Sequence, residues 1–130
     1  PVEPTSCPTL RLDADRTNQI LQNLIANALR YTPADGIITI RVRPESQAVH
    51  VDVSDTGAGI AAEDLPHIFD RFYRGEKSRS RAKGGSGIGL AIVRQLMQAQ
   101  GGEVAVKSPV HVRDDGSSYG SCFTLTFPLP

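Results

Sequence analysis

The chain has 130 residues, enough for one domain with a sizeable core and too few for a complete two-domain dehydrogenase. Fourteen basic residues balance fourteen acidic ones, so no global field recruits nucleic acid or an anionic membrane surface, and any electrostatic role must be local. The two cysteines, Cys7 and Cys122, have no neighbouring Cys or His at metal-ligand spacing, which suits free structural thiols in a reducing cytoplasm.

Residues 1–9 contain Pro1, Pro4 and Pro8 and read as an extended lead-in, with Leu10 and Leu12 as a candidate edge strand. From Asp15 to about Tyr31, apolar residues recur at Ile20, Leu21, Leu24, Ile25, Ala28 and Leu29, the spacing of an amphipathic helix, with Asp13 or Asp15 as N-cap. Pro33 and Gly36 end it. "IITIRVR" and "AVHVDVSD" alternate in period two around "PESQ", predicting a β-hairpin with one face buried. After Asp55 comes a connection too long for a simple turn, "TGAGIAAEDLPHIFDRFYRGEKSRSRAKGG". Ile88 to about Gln100 predicts a second amphipathic helix, with Leu90, Ala91, Val93, Leu96 and Met97 on its apolar side and Gly101 and Gly102 stopping it. "EVAVKS" and "SCFTLTF" predict two closing strands separated by a polar hairpin loop, "PVHVRDDGSSYG". This order gives an α+β fold, a two-layer sandwich with helices on one face of a mostly antiparallel sheet. No run of about 18 apolar residues is present and no leader pattern opens the chain, so nothing in it is expected to span or target a membrane.

Four features carry chemistry. Asn23, Asn27 and Arg30 share one face of the first helix. Asparagine is a poor mid-helix residue, so the pair reads either as an exposed polar face or as ligation. An amide oxygen is a hard neutral ligand for Mg²⁺, and an arginine one turn away can meet a phosphate. A single neutral oxygen does not hold a divalent cation, so the metal would arrive on a nucleotide's phosphates. "DTGAGI", Asp55 to Ile60, follows a strand: Gly57 and Gly59 allow a tight turn against a flat ligand, and Asp55 can accept from an exocyclic amine such as that of adenine, although an Asp-Gly turn ending a strand is common.

Arg71, Arg74, Lys77, Arg79, Arg81 and Lys83 are interleaved with Phe69, Phe72 and Tyr73. This segment reads as a solvated loop, as a lid closing on a triphosphate, or, less favoured because it is narrow and the chain neutral, as a nucleic-acid patch. The alternate glycines Gly85, Gly87 and Gly89 let backbone approach a phosphate and aim the next helix's N–H groups at it, or they form a plain turn before a core helix. A dinucleotide loop needs a buried strand before its first glycine; "KSRSRAKG" offers none, and the chain lacks a βαβ series, which excludes the nicotinamide reading.

Taken together, "NLIANALRYTP", "DTGAGI", "IFDRFYRG" and "GGSGIGLAIV", in that order and spacing, resemble the N, G1, F and G2 boxes of the catalytic, ATP-binding domain of bacterial two-component sensor histidine kinases. The likeness runs from about Leu10 to Pro130, with "GSCFTLTFPLP" as a looser closing match, Cys122 standing where a hydroxyl residue is often found. The resemblance implies the Bergerat ATP-binding sandwich shared with DNA gyrase B, mismatch-repair ATPases and heat-shock chaperones, with a long ATP lid at about residues 61–86.

It further implies ATP and Mg²⁺ as cofactors. Asn27 is then the metal ligand with Asn23 beside it, and Arg30, where the family commonly has lysine, meets phosphate. Tyr31 lies near the nucleotide, Asp55 reads adenine, and Gly57, Gly59 and Ile60 shape that pocket. Phe69 and Phe72 anchor the lid, Arg74 meets the γ-phosphate, and Gly85, Gly87, Ile88, Gly89 and Leu90 line the hinge and phosphate edge, with Gly120 and Ser121 in the third pocket motif. None of His50, His67 and His111 resembles a phosphoacceptor. The expectation is therefore a monomeric catalytic domain, cytoplasmic, of a membrane-anchored sensor kinase, with no nucleic-acid partner. It would serve a histidine on a separate helical dimerisation domain and, through it, a response regulator. The rival readings are a regulatory module that holds nucleotide without transfer and an interaction domain with a vestigial pocket.

Overall fold

The structure, a computed structural model, describes residues 10–71 and 89–129. Helix α1 spans Ala14–Tyr31, and Asp13 is its N-cap, the carboxylate accepting from the Arg16 N–H at 3.1 Å. Strands β1 (Ile38–Pro44) and β2 (Ala48–Asp55) form the expected hairpin, followed by a 3-10 turn at Leu65–His67. Helix α2 is described over Gly89–Ala99, then come β3 (Glu103–Lys107), β4 (His111–Val112), β5 (Ser118–Tyr119) and β6 (Ser121–Pro128). The main sheet has the order β1-β2-β6-β3, and every pairing in it is antiparallel.

Alternation on the paired strands sorts the inward side chains into rows. Val53 lies opposite Phe123, which lies opposite Val106; Val51, Leu125 and Val104 form the next row, and Val49 pairs with Phe127 below. Against these rows pack Ile20, Leu24 and Ala28 of α1 and Val93 and Met97 of α2. Both helices lie over the one face whose strand residues are apolar, which is why the layers number two.

The helices run antiparallel. At one end the Gln100 side-chain oxygen accepts from the Asp13 N–H (3.2 Å) and the Thr17 hydroxyl (3.5 Å); at the other the Asn23 amide donates to the Gly89 carbonyl at 3.4 Å. Beyond Asn23, α1 continues for two turns, an overhang of about 12 Å at 1.5 Å per residue.

Three expectations differ from the structure. The inward side of β1 is not buried: Ile40 and Val42 are 51% and 53% exposed, because β1 is an edge strand reached by the helix layer on one flank only. Leu10 and Leu12 form no strand, though Leu10 packs on the core. The loop read as polar contains its own two-stranded ladder, β4 with β5, closed by a turn in which the Asp115 carboxylate accepts from the Ser117 N–H and hydroxyl, and backed by Arg113 stacked 4.2 Å above the Tyr119 ring.

The opposite sheet face is polar. Arg43 donates to both oxygens of Asp52 at 2.6 and 3.0 Å, and the Thr124 hydroxyl donates to the same carboxylate at 2.7 Å. The guanidinium first, then the hydroxyl, hold the Asp52 carboxyl below the usual carboxylate range. A depressed folded-state value contributes stability that is complete above the unfolded value and is lost as pH falls through the folded one. Urea titrations at pH steps below about 4 are therefore expected to show a shallower loss of stability in Asp52→Asn than in wild type. Equal slopes would contradict the assignment.

Candidate functional site

At the α1-overhang end of the sheet the apolar rows stop and a polar row takes their place. Asp55, the last residue of β2, pairs with Ser121, the first of β6, and both side chains lie on the helix side, 5% and 4% exposed. The next position along is Ser108, which follows Lys107, the partner of Cys122. The inward alternation of Val104 and Val106 therefore carries on to a serine.

The Asp55 carboxylate accepts from the Gly57 N–H at 2.9 Å and also from the Ser121 N–H. Desolvation is the larger influence and raises its pKa, while these two donors pull it back. No cation is among these partners, so the carboxylate is a buried acceptor held by neutral N–H groups. Such a carboxylate can accept from a further neutral donor such as an exocyclic amine.

The glycines of "DTGAGI" have separate reasons. Gly57 passes under the end of α1, where a Cβ would lie 2.5 Å from the Tyr31 carbonyl oxygen. Gly59 sits at φ +88°, in the left-handed region that side chains disfavour. The loop is held from its far side as well: the Gly57 carbonyl accepts from the Gly120 N–H at 2.7 Å, and the Ile60 N–H donates to the Ser108 hydroxyl at 2.8 Å.

The expected residues are distributed around this loop. Tyr31 touches Gly57 through its carbonyl, and the Arg30 guanidinium lies 6.0 Å from the Tyr31 ring at the exposed end of the helix. Asn27, half-buried, stands one turn past the Asn23 contact with α2, on the overhang that adjoins the loop. Asn23 itself is engaged with Gly89. Ile60 and Leu90 are half-buried and pack on the core, contributing apolar wall.

Phe69 is inserted into the core, edge-on to Phe123 with ring centroids 6.2 Å apart, with Arg94 5.9 Å from its centroid. The stretch 61–71, expected to open the lid, is thus fixed by Ile68 and Phe69. Phe72, Tyr73, Arg74, Gly85, Gly87 and Ile88 lie outside the described residues. Ser108 was not singled out from sequence; the continued period-two pattern of "VAVKS" was the signal that places it inward.

Among the described residues no group of three or more His, Cys, Asp or Glu could hold a metal ion. The residues present fit a metal carried by a ligand, with Asn27 adding one neutral oxygen, and they do not form an all-protein cation site. Among the same residues no helix is long and apolar enough to cross a membrane.

Known proteins resemble this arrangement throughout. Residues 12–130 match the family described as histidine kinase-, DNA gyrase B- and HSP90-like ATPase. Sensor histidine kinase WalK of Bacillus subtilis is 40% identical over 123 residues, which is 93% of this chain but 19% of that protein. The solved structure of the mycobacterial sensor histidine kinase MprB superposes with a TM-score of 0.79 at 26% identity, covering 92% of this chain and 76% of that one. Full-length ShkA in complex with AMPPNP superposes at 0.73 and 32% identity, over 93% of this chain and 23% of that one. With the match running through both glycine loops and all the paired strands, the chain belongs to the histidine kinase-, DNA gyrase B- and HSP90-like ATPase family, as a catalytic ATP-binding domain of the sensor histidine kinase type.

Proposed function

We propose that this domain binds ATP with Mg²⁺ and transfers the γ-phosphoryl group to a histidine carried on a separate helical dimerisation domain, from which it passes to a response-regulator aspartate. The observation that carries the reading is the buried Asp55 carboxylate, held by the Gly57 and Ser121 N–H groups beside the α1 overhang that bears Asn27 and Arg30. Asp55 accepts from the adenine amine, and Gly57 and Gly59 give the adjoining loop the close approach to Tyr31 and the positive φ that hold it there. Tyr31 and Ile60 border the pocket. Arg30, exposed at the last turn of α1, reaches phosphate with a planar fork.

Mg²⁺, where bound, neutralises phosphate charge, and Asn27 offers it one amide oxygen. The incoming imidazole nitrogen forms the new N–P bond as the bond from γ-phosphorus to the β–γ bridging oxygen breaks. The electron pair leaves with ADP and the imidazole proton goes to solvent. The chain's part is positioning and charge neutralisation, because the nucleophile comes from outside.

AMPPNP bound to full-length ShkA supports an adenine nucleotide as the ligand. We place the domain on the cytoplasmic side of a membrane-anchored sensor, as a monomer apart from its dimerisation domain. WalK, of which the chain spans 19%, gives the scale of the architecture that would surround it.

Calorimetry with ADP, with and without Mg²⁺ and with NADH as competitor, tests binding; adding the helical domain in trans with labelled ATP tests transfer. ADP binding without any transfer would favour the regulatory alternative, and binding of neither nucleotide would overturn the proposal. Within it, Arg74→Ala is expected to slow transfer at least about tenfold while changing ADP affinity less than about threefold, since its partner is the γ-phosphate. Equal losses in both would remove Arg74 from that role.

A further inference from the structure

Ser108 is the most fully engaged hydroxyl at the polar end of the sheet. Its oxygen accepts from the Ile60 N–H at 2.8 Å, donates to the Gly120 carbonyl at 2.8 Å, and meets the Ser121 hydroxyl at 3.1 Å. A hydroxyl has one proton and two lone pairs. With its proton on Gly120, both lone pairs are taken by Ile60 and Ser121, so Ser121 is the donor of that pair.

Those three partners belong to the three pieces that surround Asp55. Ile60 ends the loop begun by Gly57, whose N–H holds the Asp55 carboxylate. Gly120 donates to the Gly57 carbonyl at 2.7 Å. Ser121 donates its own N–H to Asp55. Ser121 is therefore one hydrogen bond from the Ser108 oxygen, and Gly57 is two, through Gly120. The hydroxyl also lies close to Gly59, where an added Cβ would approach it to 3.1 Å, so loop and serine are packed as well as bonded.

We propose that Ser108 is a positioning residue for base recognition: through its hydroxyl it clamps the Gly57–Ile60 loop to the start of β6 and so fixes the Asp55 carboxylate for the six-amino group of adenine. The inference rests on the adenine pocket proposed above and adds to it a residue that touches no nucleotide. Without the hydroxyl, the Ile60 N–H, the Gly120 carbonyl and the Ser121 hydroxyl each lose a partner, and the loop has to move or admit water to recover them. Such a displacement falls on the amine contact first, because a hydrogen bond is far more sensitive to position and angle than apolar wall is.

The test compares ADP with inosine diphosphate, which presents a carbonyl in place of the amine. Dissociation constants for both, each with Mg²⁺, are measured calorimetrically for wild type, Ser108→Ala and Ser108→Thr. Wild type is expected to prefer ADP by about tenfold or more, the size of one lost hydrogen bond to a charged group. In Ser108→Ala the preference is expected to shrink to about twofold, with inosine diphosphate affinity changed less than about threefold. Ser108→Thr, which retains the hydroxyl, is expected to restore the preference. Ser108→Cys keeps the volume while weakening the bonds; it should fall between and carries the test where the alanine variant does not fold.

An unchanged preference in the alanine and cysteine variants, or equal loss of both ligands, would overturn the proposal, since a merely structural serine changes stability and not the ratio. A wild-type protein that does not distinguish the two nucleotides would instead overturn the Asp55 pocket itself, and the role of Ser108 with it.

Discussion

Replacing Asp55 by asparagine is expected to weaken ADP binding by about tenfold to a hundredfold, the range for a hydrogen bond to a charged acceptor, and to leave the melting temperature of the nucleotide-free protein unchanged or higher. The two effects have one cause. The carboxylate is 5% exposed, its desolvation outweighs the help of the Gly57 and Ser121 N–H groups, and no cation among the described residues compensates it. An amide of the same shape keeps one acceptor for those N–H groups and removes the charge.

The pH dependence has a definite sign. A carboxyl raised in the folded state destabilises the protein as pH climbs through the interval from its unfolded value to its folded one. Asp55→Asn should therefore flatten that fall, opposite in sense to the change expected for Asp52→Asn. Calorimetric titration with ADP and thermal melts of the same preparations check both halves. Unchanged ADP affinity would remove Asp55 from base recognition, and a large drop in melting temperature would show that the carboxylate is mainly structural.

The second large effect is on stability. Leu125 is fully buried at the centre of the middle row, opposite Val51 on one side and Val104 on the other. Leu125→Ala is expected to cost about 2–5 kcal/mol, because rigid strands on both sides cannot close the cavity. That is a large share of a stability of roughly 5–15 kcal/mol, and the melting temperature should fall on the order of 10 °C. Ile40→Ala supplies the contrast: Ile40 faces the same side of the sheet but is 51% exposed on the edge strand, so its loss should stay within about 1 kcal/mol. Urea denaturation of the two variants decides the matter, and comparable losses would mean that the core does not centre on β6.

The sequence made some features legible because they are local. An acidic cap, Asp13 or Asp15, before an apolar period of 3.6 marks the start of α1, where the structure uses Asp13, and period-two runs on either side of "PESQ" mark the hairpin. Periodicity says which residues share a face; it does not say whether anything covers that face. Ile40 and Val42 alternate as faithfully as Val51 and Val53, yet the position of β1 at the sheet margin leaves them half exposed. Likewise, β4 and β5 are two residues each, too short for alternation to register against their polar turn.

Near Asp55, the strand end and the glycine turn after it were readable because they are local, and Phe69, whose role came from the order of the four motifs together, is seated by the structure against Phe123. Ser108 escaped because a single serine after a strand has no distinctive local pattern; its partners Ile60, Gly120 and Ser121 come from other parts of the chain. Asn23 was read toward the ligand, and its described partner is the Gly89 carbonyl, a contact that depends on how two helices cross.

The row arrangement of the sheet has a consequence for how such a domain tolerates change. Val53, Phe123 and the rows beneath them are occupied by apolar side chains, whereas Asp55, Ser121 and Ser108 share a single tier at the strand ends. Because these three side chains adjoin one another and Ser108 bonds Ser121 directly, substitutions among them are expected to couple and not to add. A double substitution of Ser108 and Ser121 to alanine should accordingly differ in stability from the sum of the two single changes, whereas Leu125→Ala combined with Ser108→Ala, from separate tiers, should come closer to additive.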